Sequence, residues 1–226
     1  MQDAPGQDTR TSQRSVEGYN RLAPNYRKLE YLAFGSALMG ARVALLERLP
    51  PLDRVLILGE GDGRLLEVLL RNRPRCQVTC VEQSPRMVEL AQARLAAIGR
   101  LENVHFAVRD ALTFVPERRS YDAIVTSFFL DCFTKDVLKT LIPTLLQGLK
   151  RGGLWYYADF HMPSQATARV RAEVYLALLH TFFRWRTGLR SRRLVDPAPI
   201  FAANGLSLEV ERQQSGGLLT TRLYRY

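Results

Sequence analysis

Val55-Leu56-Ile57-Leu58-Gly59-Glu60-Gly61-Asp62-Gly63-Arg64 is the stretch that decides the fold. An apolar run ended by a glycine-rich turn reads as a short buried strand, and residues 65–70 after the turn have helical spacing. Strand, turn and helix make one βα unit, and the unit repeats outward. Residues 77–81 read as a second strand, and Ser84-Pro85 opens a helix over 85–98, with Ser84 as N-cap and Pro85 at the first helical position. Residues 104–108 and 121–126 are third and fourth strands. A helix over 135–149 ends at the breaker Arg151-Gly152-Gly153, and a fifth strand follows over 154–160.

Strands alternating with helices imply a parallel sheet covered on both faces, because parallel neighbours need a crossover connection. The tail breaks the rhythm. Residues 206–211 and 218–224 are β-rich runs joined through Gln213-Gln214-Ser215-Gly216-Gly217, which reads as an antiparallel hairpin. The expected fold class is therefore α/β, with a seven-stranded, mostly parallel sheet, a C-terminal antiparallel hairpin and helices on both faces. A dinucleotide dehydrogenase would instead repeat a second βαβαβ half.

A chain of 226 residues suits one domain, expected over 15–226, that needs no disulfide or metal to support its core. Residues 1–14 are polar and lack the apolar centre of a secretion signal, so they read as a disordered leader. No apolar run approaches the roughly 20 residues that cross a bilayer. The three cysteines, Cys76, Cys80 and Cys132, are too few for a disulfide framework and fit a cytoplasmic address. Cys76 and Cys80 lack a second Cys/His pair at ligand spacing, so no metal is expected.

Net charge is +10, and the excess is uneven: seven arginines face one acid, Glu173, between Arg169 and Arg193. Such a patch suits nucleic acid, an anionic membrane surface or an acidic substrate, and equally a helix that arginines solvate. Residues 165–186 also carry more apolar side chains than one core-facing stripe requires. The segment 165–193 is therefore open to peripheral membrane contact, a dimer contact, a substrate border or plain packing.

The glycines at 59, 61 and 63 let the backbone pass close under a ligand, and the helix behind them offers free N–H groups. Spacing decides between ligands. The dinucleotide pattern G-x-G-x-x-G needs a third glycine where Arg64 stands, whereas G-x-G-x-G is complete. Glu82, at the end of the second strand, is placed to accept both hydroxyls of a ribose. Asp110-Ala111, after the third strand, offers a carboxylate and backbone N–H groups to an adenine edge.

Gly59-Glu60-Gly61-Asp62-Gly63, Val81-Glu82, Arg109-Asp110-Ala111 and Tyr121-Asp122-Ala123-Ile124-Val125, in this order, resemble motifs of the class I S-adenosylmethionine-dependent methyltransferases. Within that superfamily the chain is similar to the ubiquinone/menaquinone-biosynthesis-like small-molecule enzymes, including Gly-Gly-Leu-Leu at 216–219. The resemblance implies a Rossmann-like methyltransferase fold, S-adenosylmethionine as cofactor and S-adenosylhomocysteine as product. It implies that Gly59 to Gly63 wrap the methionine part, that Glu82 with Gln83 holds the ribose, that Asp110 and Ala111 meet the adenine, and that Ser127 joins the cofactor set. No acid precedes the first glycine, where the family usually has one; the strand ends at Leu58, and Glu60 or Asp62 is left to meet the cofactor's amino group.

Ligands of open α/β sheets bind beyond the carboxyl ends of the strands. This selects residues 127–131 and His161. His161 is the candidate general base, since imidazole titrates near neutrality, and Asp131 a second candidate, for holding or deprotonating a substrate donor. Tyr19, Tyr26, Phe128, Phe129 and His161 are the expected substrate pocket, with residues 15–49 as a helical lid and 161–204 as a helical insertion capping the substrate side. The acceptor is expected to be a small, partly apolar molecule. RNA modification or RNA binding on the same fold is the alternative, although no RNA-binding motif is visible. Aminopropyl transfer is disfavoured because Ser127-Phe128-Phe129 replaces an acid-rich stretch.

Overall fold

The computed structural model describes residues 35–163 and 194–226. A helix α1 (Ala37–Val43) precedes β1 (Arg54–Leu58), α2 (Arg64–Asn72), β2 (Gln77–Glu82), α3 (Pro85–Ala96), β3 (Val104–Val108), β4 (Tyr121–Ser127), α4 (Lys135–Leu146), β5 (Leu149–Phe160), α5 (Ala198–Ala203), β6 (Ser207–Gln214) and β7 (Leu219–Arg225). The sheet has seven strands in the order β3-β2-β1-β4-β5-β7-β6. Strands β1 to β5 run parallel, and β7 and β6 add antiparallel pairs, so the expected α/β class and hairpin both stand.

β1 is central because both its faces are apolar. Val55 and Ile57 point into one core with Leu65, Leu66, Leu69 and Leu70 of α2. Leu56 and Leu58 point into the other, with α4 and Trp155. The α2 leucines recur one helical turn apart, a single stripe for one sheet face. Asp122 fixes the start of β1, accepting from the Asp53 and Arg54 amides at 2.9 and 2.8 Å. Because β2 and β4 flank β1 in opposite directions of chain order, the crevice opens where β1 and β4 end.

One particular differs from the sequence expectation, and two more were left open by it. Gly152-Gly153 lies inside β5 instead of ending a helix, since β5 begins at Leu149 and its pairing with β4 shifts register between Tyr121 and Ala123. A strand glycine at a register shift is a bulge device as readily as a breaker. The last strand, β7, inserts between β5 and β6, so the hairpin closes the sheet with its first strand outermost. In the expected cap, α5 packs as core: Phe201 is fully buried against Trp155, Tyr157 and Tyr224.

The lid residues 15–34, with Tyr19 and Tyr26, and the basic segment 165–193 lie outside the described residues. Among the described residues no helix is long and apolar enough to cross a membrane.

Candidate functional site

The three turn glycines all have positive φ, at 65°, 72° and 83° for Gly59, Gly61 and Gly63, a region that costs other residues dearly. Their surroundings separate their tasks. A side chain on Gly63 would begin 2.7 Å from the Ala91 Cα, so this glycine lets α2 approach α3. One on Gly59 would meet the Phe129 ring at 2.3 Å. One on Gly61 would meet nothing within 4 Å. Gly61 is thus where the backbone lies bare to the crevice.

The acids of the turn are engaged differently. Asp62 is buried and ion-paired, accepting from Arg64 Nε at 2.9 Å and Arg94 Nη2 at 3.2 Å. Glu60 Oε1 accepts from the Leu65 and Leu66 amides at 2.8 and 3.1 Å, capping α2. Burial pushes the Glu60 carboxyl up to about 7, with the Leu66 amide and the charge of Arg42 pulling it back. Of the two acids left for an ammonium group, Asp62 already holds two arginines, whereas Glu60, among the described residues, accepts from backbone amides alone.

Glu82 ends β2 with its carboxylate turned into the glycine turn. One oxygen accepts from the Gly61 amide at 3.2 Å, and the other from the Ser84 amide at 2.9 Å. Burial raises its pKa, opposed by those amides and that of Gln83. Ser84 caps α3 through the Met87 amide, as expected. Asp110 Oδ1 accepts from the Leu112 amide at 2.9 Å and caps the short turn that begins with buried Ala111. Ser127 ends β4 buried, and its hydroxyl finds no hydrogen-bond partner among the described residues. A buried unpaired hydroxyl costs on the order of 1–3 kcal/mol. Together with the bare Gly61 backbone, it fits a site that receives a polar ligand.

On the substrate side, Phe128 takes φ 51°, donates its amide to the Ala158 carbonyl, and packs edge-on against Phe160 at 5.2 Å. The Arg42 guanidinium stands 5.0 Å from the Phe128 ring centre. Phe129 covers Gly59 and packs on Phe133. The Asp131 amide donates to Asp159 Oδ2 at 3.2 Å, and Asp159 is fully buried. His161 is half-buried with Nδ1 3.4 Å from Arg222 Nη2, and burial and that positive charge lower its pKa, opposed by Asp196 and Glu211. The ring is therefore neutral near pH 7, with its Nδ1 lone pair turned to the arginine. Sequence reading did not single out Arg42, Asp159 or Arg222. Only their burial marks them, and burial is set by distant strands.

A family profile described as a methyltransferase domain matches residues 55–153, which span β1 to the start of β5. Demethylmenaquinone methyltransferase from Thermotoga maritima is 27% identical over 185 residues, 80% of this chain and 76% of its own. Release factor glutamine methyltransferase from Koribacter versatilis is 31% identical over 130 residues, 46% of this chain but 45% of its own length. A solved DhpI–SAH complex shares the fold with a TM-score of 0.66 at 19% identity, covering 95% of this chain and 96% of that one. With the glycine turn, the strand-end acid and the sheet order all in place, residues 55–153 carry a methyltransferase domain, and the chain as a whole is similar to the class I S-adenosylmethionine-dependent methyltransferases.

Proposed function

We propose that the chain methylates a small, partly apolar molecule. The observation that carries this reading is the two aromatic pairs at the ends of β4 and β5, Phe128 on Phe160 and Phe129 on Phe133, with Phe129 lying against Gly59 of the glycine turn. Such aromatic faces suit a planar or hydrocarbon acceptor. The name of the Thermotoga relative points to demethylmenaquinone, an acceptor of that chemical kind. The cysteines Cys76 and Cys80, held as buried thiols, support a cytoplasmic address.

In this reading the Gly61 backbone and Glu60 receive the methionine end of the cofactor. Glu82 with Gln83 takes the ribose, Asp110 and Ala111 the adenine edge, and Ser127 the exposed polar flank. When bound, S-adenosylmethionine supplies an electrophilic methyl group open to in-line displacement. The phenylalanines exclude water and hold the acceptor in line. Of the two expected bases, Asp131 sits closer to the β4 turn and is the one able to take a proton from an acceptor hydroxyl or amine, whereas the Nδ1 of neutral His161 faces Arg222.

The test is incubation of the protein and a cell extract with methyl-labelled S-adenosylmethionine, followed by separation of organic-soluble, RNA and protein fractions. Label in the organic-soluble fraction is expected. Label confined to RNA or protein overturns the acceptor class and leaves the methyltransferase assignment standing.

A further inference from the structure

We infer that His161 is a hydrogen-bond donor through Nε2–H, not a base, and that it holds a carbonyl or phenolate oxygen of the acceptor. The choice of ligand rests on the small-molecule reading above. Arg222, on β7, has a side chain only 8% exposed, and all three of its guanidinium nitrogens are engaged. Nε donates to Glu211 Oε1 of β6 at 2.7 Å, and Nη1 donates to Asp196 Oδ1, ahead of α5, at 2.9 Å. Both carboxylates are themselves held, Glu211 by the Thr220 hydroxyl at 3.0 Å and Asp196 by the Ala198 amide at 3.0 Å. Two acids on different elements thus fix the plane of the guanidinium. The third nitrogen, Nη2, is left against His161 Nδ1 at 3.4 Å.

Arginine nitrogens carry protons and no free lone pair, so the ring atom that faces them accepts. A doubly protonated ring would point N–H at N–H and set two cations in contact. The Nδ1–H tautomer fails for the first of those reasons. What remains is a neutral imidazole whose one proton sits on Nε2. Burial holds the ring's pKa below its ordinary value, and the charge of Arg222 acts in the same direction, against Asp196 and Glu211.

Nε2 lies across the ring from Nδ1, on the edge turned away from Arg222. Among the described residues no group engages it. The His161 amide donates to the Leu218 carbonyl at 2.8 Å, which holds the residue at the end of β5, directly after the Phe160 that packs on Phe128. Ligands of open α/β sheets lie at that end of the sheet. An N–H there meets an electron-rich oxygen and takes no proton from a neutral hydroxyl. A planar molecule against the Phe128–Phe160 pair, with a carbonyl or phenolate oxygen at its rim, uses both features. Arg222 is the positioning residue that sets the donor.

Two measurements on the full chain test this. In long-range proton–nitrogen NMR spectra of protein with isotope-labelled histidine, the His161 signals are assigned by their loss in His161→Gln. They are expected to show the Nε2–H tautomer near pH 7; an Nδ1–H tautomer or a charged ring overturns the inference. Arg222→Gln is expected to bring up the Nδ1–H tautomer, and an unchanged spectrum removes Arg222 as the positioning residue; the wild-type spectrum carries the test should that variant not fold. The second measurement is methyl transfer from labelled S-adenosylmethionine into the organic-soluble fraction of a cell extract. His161→Ala removes the donor and is expected to slow transfer about 10- to 100-fold. His161→Gln returns an amide N–H near the place of Nε2 without a base, and is expected to recover to within about tenfold of wild type. A glutamine variant as slow as the alanine variant, or an alanine variant as fast as wild type, overturns the donor role. A labelled product that mass spectrometry shows to lack a carbonyl or phenolic oxygen overturns the ligand. A wild type that labels no organic-soluble product overturns the small-molecule reading and the ligand with it, whereas the tautomer is read without any acceptor.

Discussion

Gly61→Ala and Gly63→Ala put the same methyl group on the same turn and are expected to fail in opposite ways. Both residues hold positive φ, so each alanine pays about 1–2 kcal/mol for the left-handed backbone. Beyond that shared cost the two sites diverge. At Gly61 the new carbon meets no atom within 4 Å, so the unliganded protein loses nothing more. In a protein of this length that corresponds to a drop in Tm of about 2–8 °C. At Gly63 the carbon lands 2.7 Å from the Ala91 Cα and 2.8 Å from its Cβ, atoms of a packed helix that have no rotamer to turn. Overpacking adds about 1–3 kcal/mol, giving a total of about 2–5 kcal/mol. Ligand binding reverses the order. The space beside Gly61 is where a ligand must lie against the backbone, so Gly61→Ala is expected to weaken S-adenosylhomocysteine at least tenfold. Folded Gly63→Ala is expected to lose less. Urea unfolding without ligand and calorimetric titration with S-adenosylhomocysteine separate the two effects. Equal stability losses, or a Gly61→Ala protein that binds the ligand as tightly as wild type, would refute the division of labour between the two glycines.

Two carboxylates give further tests. Glu82→Ala leaves the Gly61 and Ser84 amides without their acceptor and is expected to cost about 1–3 kcal/mol in urea unfolding, with a loss of S-adenosylhomocysteine affinity of about 10- to 100-fold. Unchanged affinity would withdraw Glu82 from the ribose. For Glu60, burial holds the folded carboxyl at about 7 against an ordinary 4.5. The folded state then binds the proton more tightly between those values, so this group favours folding most below pH 4.5 and withdraws that support as pH rises to 7. The swing is on the order of 3 kcal/mol. Glu60→Gln is expected to flatten the difference between urea unfolding at pH 5 and pH 8, leaving the part that buried Glu82 and Asp159 contribute in the same direction. A variant with the full wild-type slope would contradict it.

What the sequence made legible was what short-range chemistry dictates. The β1 strand, the glycine turn and the Ser84-Pro85 helix start are each written in fewer than ten consecutive residues, and each stands where its pattern put it. Gly152-Gly153 misled because the same dipeptide ends a helix or bends a strand, and only pairing with β4 and β7 decides. The place of β7 between β5 and β6 is likewise a long-range choice. Among the candidate site residues, Glu82 and the glycines are marked by their distance from β1. Arg42 is not, because its neighbours Phe128 and Tyr156 lie 86 and 114 positions away in sequence. Asp159 is likewise unmarked in sequence, and the sheet sets it, wholly buried, against the Asp131 amide.

The central claim is that the Gly59–Gly63 turn and Glu82 form an adenosylmethionine site. Calorimetric titration of the purified protein with S-adenosylmethionine and S-adenosylhomocysteine tests it most directly. One molecule of each is expected to bind per chain, with affinity cut by Gly61→Ala and by Glu82→Ala. Absence of heat and of any thermal stabilisation with both ligands would contradict it.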